Sequence, residues 1–445
     1  MKSQYQESLD FLFSQLPMFS RIGAAAYKPG LDTSINLDNY FGNPHLKFKS
    51  IHIGGTNGKG STSHNITSIL MEQGYKVGLY TSPHLVDFRE RIRINGEMIP
   101  EEDVVDFVSR WRKSGYEGHP SFFELTMMMA FDWFAKSEVD YAVIEVGMGG
   151  RLDSTNIITP IGCVITNISF DHTQFLGDTL PAIAGEKAGI IKEGIPVVVG
   201  NAESEVRKVF EEKAAEKNAE IVFAADSPAA HFNADSPYRL EINSPKYGFI
   251  NSPLAGEYQK ENLNTVLHAV DMLRNAGVKI TDSSVAKGIE RVIDNTGLQG
   301  RWMIMSEYPF IVCDTGHNRA GLSFTMGQLM KEYKERQREA EESGESENPQ
   351  LRIVIGFVND KDVEHIADLL PREAVYYVTQ ASVPRAMPKE TLFEILRSKG
   401  LKCTVPFDDV SSAARTAMAD STEKDVIYIG GSTFIVADYL ASRID

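Results

Sequence analysis

The sequence predicts an α/β protein of two units, a larger N-terminal unit on a P-loop-type parallel sheet and a smaller C-terminal Rossmann-like unit. Three observations predict it. Short apolar runs, "FKSIHIGG", "KVGLYTS", "VDYAVIEVG" and "IGCVITNIS", end in glycine or polar residues and alternate with helical patterns such as Leu180 to Ile191. That alternation is the mark of a mainly parallel sheet covered on both faces. The same grammar restarts after Arg301 with "FIVCDTG", "LRIVIGF", "AVYYVTQ" and "DVIYIGG". Finally, 445 residues are long for one domain.

Taken in order, Tyr5, Leu9, Leu12 and Leu16 stand at helical spacing among charges, without the apolar core or cleavage site of a signal peptide. The next strand runs into "GTNGKGS" and a helix from Ser61 to Gln73. A glycine-rich strand-to-helix turn gathers backbone N–H groups and the positive end of a helix dipole, which suits phosphate. The spacing is compressed relative to G-x-x-x-x-G-K-[ST]: three residues separate Gly54 from Gly58, and Gly60 falls between Lys59 and Ser61. Lys59 supplies a point charge, and Ser61 either caps the helix or approaches a metal.

Ser82, Glu145 and His172 stand at or just beyond predicted strand ends. An oxygen-rich set with one imidazole suits Mg²⁺ or Mn²⁺, although Ser82 equally suits a turn cap and His172 a structural role. "DNTGLQGR", Asp294 to Arg301, reads as a linker and divides the chain into residues 1–297 and 298–445. Beyond it, a helix from Asn318 places Leu322, Met326, Leu329 and Tyr333 on one face, and "KERQREAEESGESENPQ" reads as a helix end entering a solvated loop.

With 61 acidic and 45 basic residues, the net charge of −16 argues against a general nucleic-acid or anionic-membrane surface. An anionic ligand therefore needs a local basic pocket. The three scattered cysteines form no C-x-x-C pair, so neither a disulfide framework nor a cysteine zinc site is indicated. No segment approaches the ~20 apolar residues of a membrane span. A cytoplasmic protein is expected.

"GTNGKGS", "YTSPHL", "IEVGMGGRLDSTN", "DHTQFLG" and "EKAGIIK", in this order, resemble the folylpolyglutamate synthase and dihydrofolate synthase family, relatives of the Mur cell-wall ligases. The resemblance runs from "YKPGL" at Tyr27 to "YIGGSTFIV" at Tyr428. It implies an ATP-binding domain followed by a glutamate-ligase domain, acting as a monomer on ATP, L-glutamate, dihydropteroate and reduced folates through an acyl phosphate. It also implies nucleotide contacts from Thr56, Asn57, Gly58, Lys59, Gly60 and Ser61, and from Gln259, Asn262, Arg301 and Asp314. Ser82, Glu145, His172 and Lys187 become the metal set, Lys187 carbamylated by CO₂, with Lys59, Lys187 and His317 catalytic. From their residue types alone, Lys187, Gln259 and Asn262 read equally as solvated helix faces.

"SFFEL" (Ser121, Phe122, Phe123 and Glu124) and "LDS" (Leu152, Asp153 and Ser154) match segments that hold a pterin in this family. Their aromatic faces would stack a flat heterocycle and their carboxylates would meet its amino groups, though Phe122 and Phe123 equally suit a core. "DTGHN" departs from the family form: Thr315 and Gly316 replace Gly and Ala, and Arg319 replaces a proline. Two rivals remain. One is a UDP-muramyl peptide amino-acid ligase, which "SFFE" and "LDST" oppose; the other is an ATP-dependent binding protein without ligase activity, which Glu145, His172, Lys187, Asp314 and His317 together oppose.

Overall fold

The computed structural model describes residues 2–16, 30–344 and 348–443. Tyr27 to Pro29 of "YKPGL" and Glu345 to Glu347 of the acidic run lie outside the described residues. Two compact units emerge, one of Met1–Phe232, Glu241–Ser252 and Lys260–Leu298, the other of Asn233–Leu240, Pro253–Gln259 and Gln299–Asp445. Two short segments before residue 298 thus belong with the second unit. Backbone contacts explain one of them: Glu257 N donates to Gln328 Oε1 at 2.7 Å, and Gln328 Nε2 donates to Ala255 O at 3.0 Å.

The first unit contains β1 (Lys49–Gly54), β2 (Val77–Tyr80), β3 (Ile92–Ile94), β4 (Glu97–Met98), β5 (Tyr141–Glu145), β6 (Gly162–Asn167), β7 (Val197–Asn201) and β8 (Ile221–Phe223). They form one sheet in the order β4-β3-β2-β5-β1-β6-β7-β8. Only the β2–β3 and β3–β4 pairings are antiparallel. β1 lies between β5 and β6, with Ile53 opposite Glu145 and Gly54 opposite Ile165. The continuous apolar runs are what burial on both faces demands.

The Lys59–Glu72 helix is buried from Ser61 to Leu70, although "STSHNITS" is polar. Its polar side chains bond inward: Ser68 Oγ donates to Gly288 O at 2.6 Å, and His64 Nδ1 meets Thr296 Oγ1 at 2.9 Å. Gly288 permits the close approach, since a Cβ there would stand 2.5 Å from Ile69 Cα. Val292–Thr296 is helical and ends at Gly297, φ +66°. The first residues of the expected linker are therefore helix, held by the same Thr296 contact. A small sheet follows the order β11-β10-β9, with β9 His231–Asn233, β10 Leu240–Ser244 and β11 Gly248–Ser252.

The second unit contains β12 (Met303–Glu307), β13 (Phe310–Asp314), β14 (Leu351–Ile355), β15 (Val375–Val378), β16 (Lys402–Cys403) and β17 (Val426–Gly430). Their order is β12-β13-β17-β14-β15-β16, antiparallel only between β12 and β13. The Arg319–Glu342 helix buries Leu322, Met326, Leu329 and Tyr333, as their spacing predicts, in a core with Phe310, Ile353 and Tyr428. The three cysteines are free thiols. Among the described residues, no helix is long and apolar enough to cross a membrane.

Candidate active site

β2, β5, β1 and β6 are adjacent and parallel, so the loops after them share one edge of the sheet. The turn after β1 needs its glycines. Gly55 has φ +132° and a Cβ there would lie 2.0 Å from Thr166 Oγ1; Gly58 has φ +85° and its Cβ would lie 2.1 Å from Asn262 Oδ1. The end of β6 holds the turn: Thr56 N donates to Asn167 O at 2.9 Å, Asn57 N to Asn167 Oδ1 at 3.0 Å, and Ser169 N to Thr56 Oγ1 at 3.1 Å. The helix begins at Lys59 with Gly58 at its cap position and no capping side chain. Ser61, expected as a possible cap, instead lies buried inside the first turn, because Gly58 ends the loop two residues before Gly60.

Two lysines turn onto this loop. Lys59 Nζ donates to Gly55 O at 3.2 Å and Thr56 O at 3.0 Å, and Lys187 Nζ donates to the same Gly55 O at 2.9 Å. Lys187, on the Leu180–Ala188 helix, is only 4% exposed, which excludes a solvated face. Gly150 packs beneath it, where a Cβ would stand 3.0 Å from Lys187 Cα. Burial, and then the charge of Lys59, push the Lys187 amine down to about 7. Near neutral pH much of it is therefore the nucleophilic free amine.

Glu145 ends β5, buried, and accepts a 3.3 Å bond from Ser82 N. His172 sits in the left-handed region, φ +49°, at the start of the Thr173–Leu176 turn, where its N–H donates to Asp171 Oδ1 at 2.9 Å. A buried carboxylate beside a serine is a hard oxygen set, which fits Mg²⁺. Among the described residues no group of three His, Cys, Asp or Glu side chains is able to hold a metal by itself. A cation at this edge needs further oxygens, which nucleotide phosphates carry.

The pterin segments divide. Ser121 Oγ accepts from Glu124 N at 3.2 Å and Glu124 Oε2 accepts from Ser121 N at 2.7 Å, a capping box that starts the Phe122–Lys136 helix. Glu124 Oε1 also accepts from Ser34 Oγ at 3.1 Å, and Phe122 stacks in the core on Phe13 at 5.6 Å. Helix initiation and packing account for these three residues. Phe123 differs: it is half-buried, 5.9 Å from the Tyr80 ring, and lies close against Gly147.

In "LDS", Leu152 and Ser154 are half-buried and Asp153 is buried. Asp153 Oδ2 accepts from Met148 N at 2.9 Å, and Oδ1 accepts from Thr155 N at 3.0 Å and Thr155 Oγ1 at 2.5 Å. Thr155 Oγ1 in turn meets His52 Nε2 at 2.9 Å. Burial raises the Asp153 carboxyl and, with Lys192 adding to it, lowers His52 to about 3. His52 is thus a neutral Nε2–H donor at the base of a His52–Thr155–Asp153 chain.

In the second unit, Asp314 ends β13. Its Oδ2 accepts from Tyr258 Oη at 2.6 Å and Trp302 N at 2.7 Å, and its Oδ1 from Gly316 N at 2.7 Å and Thr325 Oγ1 at 3.4 Å. Arg301 donates to Gly300 O at 3.2 Å and to Thr315 Oγ1. His317 Nδ1 lies 3.0 Å from Thr315 O, a contact that requires its proton on Nδ1. Gln259, at the start of the Gln259–Asn275 helix, and Asn262 are both buried, which excludes the solvated-face reading for them.

The Mur ligase middle domain matches residues 53–270. A Bacillus subtilis dihydrofolate synthase/folylpolyglutamate synthase is 30% identical over 453 residues, spanning 98% of this chain and 99% of that protein. The chain belongs to the dihydrofolate synthase/folylpolyglutamate synthase family. It is accordingly an ATP-dependent glutamate ligase. The solved Escherichia coli FolC, in complex with DHPP and ADP, matches it with a TM-score of 0.81 at 28% identity over 100% of this chain and 99% of that one. A Yersinia pestis bifunctional folylpolyglutamate synthase/dihydrofolate synthase complexed with AMPPNP and Mn ion matches with a TM-score of 0.80 at 26% identity, again over 100% and 99%.

Thr166, Asn167 and Ser169 lie outside the glycine motif, yet they shape its turn. The signal was present in "TNIS", the polar tail of an apolar strand run.

Proposed function

We propose that this family ligase uses ATP to join L-glutamate both to dihydropteroate and to the γ-carboxylate of reduced folates, acting as a cytoplasmic monomer. The observation that carries the reading is the convergence of Lys59 and Lys187 on the Gly55 carbonyl, at the strand edge that also bears Glu145. Lys59 brings a positive charge to this carbonyl for an incoming anion, while Lys187 beside it is held largely as the neutral amine. Thr56 to Ser61 cradle the phosphates, Asn262 braces Gly58, and Lys59 stabilises charge on the phosphoryl group passing to the acceptor carboxylate. Residues 1–297, apart from the two segments that belong with the second unit, serve as the ATP-binding domain. Residues 298–445 serve as the glutamate-ligase domain, with Arg301 and Asp314, together with Gln259, assigned to the nucleotide and His317 to catalysis.

Ser82, Glu145 and His172 would hold Mg²⁺ or Mn²⁺, which neutralises phosphate charge when bound. Lys187 is carbamylated: its neutral amine attacks CO₂, a C–N bond forms, a proton leaves, and the carbamate becomes an anionic oxygen ligand. Phe123 and Asp153 contact the pterin, positioned by Ser121, Phe122, Glu124, Leu152 and Ser154. The test supplies ATP, Mg²⁺ and glutamate with dihydropteroate or tetrahydrofolate and measures ADP and the amide product. Both acceptors should turn over. Turnover of tetrahydrofolate alone restricts the chain to polyglutamylation, and turnover of a UDP-muramyl peptide instead of either replaces the reading.

A further inference from the structure

Arg91 closes the Phe88–Arg91 turn just before β3, and its carbonyl accepts from Thr81 N at 3.0 Å, next to Ser82. The residue is 8% exposed. Its Nε donates to His84 Nδ1 at 2.7 Å and its guanidinium lies 5.3 Å from the Phe122 ring centroid. Because His84 Nδ1 accepts from Arg91, that nitrogen carries no proton and the partner is a neutral ring. Among the described residues no carboxylate forms a salt bridge with Arg91. Of the nearby acids, Glu90 is committed to the N–H groups of Leu85, Val86 and Asp87, and Glu145 accepts from Ser82 N.

A second buried donor stands close by. The Tyr80 hydroxyl is fully buried without a partner among the described residues, and Arg91, Asp153 and Glu145 all lie near enough to act on it electrostatically. Burying a guanidinium without a counter-ion is costly, and its fork of donors matches a carboxylate. The guanidinium lies against Phe122 at the start of the Phe122–Lys136 helix, with Glu145 near enough to act on it electrostatically.

We infer that Arg91 is the receptor for the carboxylate of the acceptor substrate, holding it by charge beside the Phe122 ring. The inference rests on the acceptor reading above. It gives Arg91 a role distinct from Lys59: one cation orients the attacking carboxylate and the other acts on the phosphate. His84, as a neutral acceptor, fixes the Arg91 side chain without cancelling its charge.

Direct binding of dihydropteroate and of its carboxamide counterpart tests this, in the wild-type chain and in Arg91→Met and Arg91→Lys, with thermal melts and the KM for ATP as controls. The wild-type chain should prefer the carboxylate, and Arg91→Met should weaken carboxylate binding roughly ten- to a hundredfold while leaving carboxamide binding unchanged. Arg91→Lys, which keeps the charge and loses the fork, should retain part of the preference even if Arg91→Met does not fold. An undiminished preference in Arg91→Met, or in Arg91→Lys where Arg91→Met does not fold, or an equal loss for both ligands, overturns the assignment alone. Failure of the wild-type chain to bind either ligand overturns the acceptor reading and this assignment together.

Discussion

Two strand–turn–helix junctions invite comparison: the turn from Gly55 to Gly58 after β1 and the turn from Thr315 to Asn318 after β13. Both follow the carboxyl end of a parallel strand and open a long helix. The first has no capping side chain, and Lys59 and Lys187 both donate to one of its carbonyls. The second closes on itself. Asn318 Oδ1 caps its helix by accepting from Gly321 N at 2.9 Å, and Asp314 is taken up by four donors. An uncapped helix start beside Lys59 is built to receive an anion, whereas a capped, internally bonded one is built to hold its own backbone. Similar topology therefore carries opposite chemistry, and the side chains at the first helical turn decide which.

If that contrast is right, the largest loss of activity comes from the first turn with little loss of stability. Lys59→Ala should lower kcat by about 10²- to 10³-fold or more, the scale of losing one positioned charge-stabilising donor, while its melting temperature stays near wild type. Near-normal kcat in a folded variant removes the turn from the chemistry. Lys187 sharpens the comparison through pH. Its folded value of about 7 lies below the ordinary 10.5, so between these values the unfolded chain holds a proton that the folded chain has released. Stability should therefore rise with pH from about 7 to 10.5 in CO₂-free buffer, and Lys187→Met should lose that slope. Bicarbonate should restore activity to CO₂-depleted wild type more readily above pH 7 than below it, and a ¹³C carbamate resonance should accompany the recovery.

The glycines and Lys59 made the first turn legible, because they are themselves the chemistry that a phosphate requires. Its supports were not. Thr166 and Asn167 act through register between β1 and β6, which no local pattern reveals. The polar Lys59–Glu72 helix carries no apolar stripe, and its burial depends on Gly288 and Thr296, over 200 residues away in sequence. "SFFE" holds the S-x-x-E signature of a capping box, a local reading that the resemblance to a pterin-binding segment displaced. Asp314 accepts from Tyr258 and Trp302, partners that β13 alone does not announce.

The second turn should fail in the opposite manner, through stability first. In Asp314→Asn an amide N–H₂ faces some of the donors that the carboxylate accepts, at a cost of about 1–3 kcal/mol for buried groups left unsatisfied. Denaturant unfolding should show that loss. An unchanged midpoint would mean that the four bonds to Asp314 do not hold this turn together.

The smallest effect belongs to the cap. Asn318→Ala removes the bond to Gly321 N, and an N-cap of this kind contributes ~1 kcal/mol. Asn318 itself is buried, but Gly321 is only half-buried, so water reaches the freed N–H and the change should lower the melting temperature by a few degrees. Because the Asp314 network fixes the backbone on the other side, His317 keeps its Thr315 contact, and kcat should change less than twofold. The ratio of the two effects carries the comparison. At the turn after β1 substitution costs rate and spares stability; at Asn318 it should cost stability and spare rate. A large fall in kcat for Asn318→Ala without a fall in stability would show that the second helix start, like the first, acts on an anion, and the distinction between the two junctions would collapse.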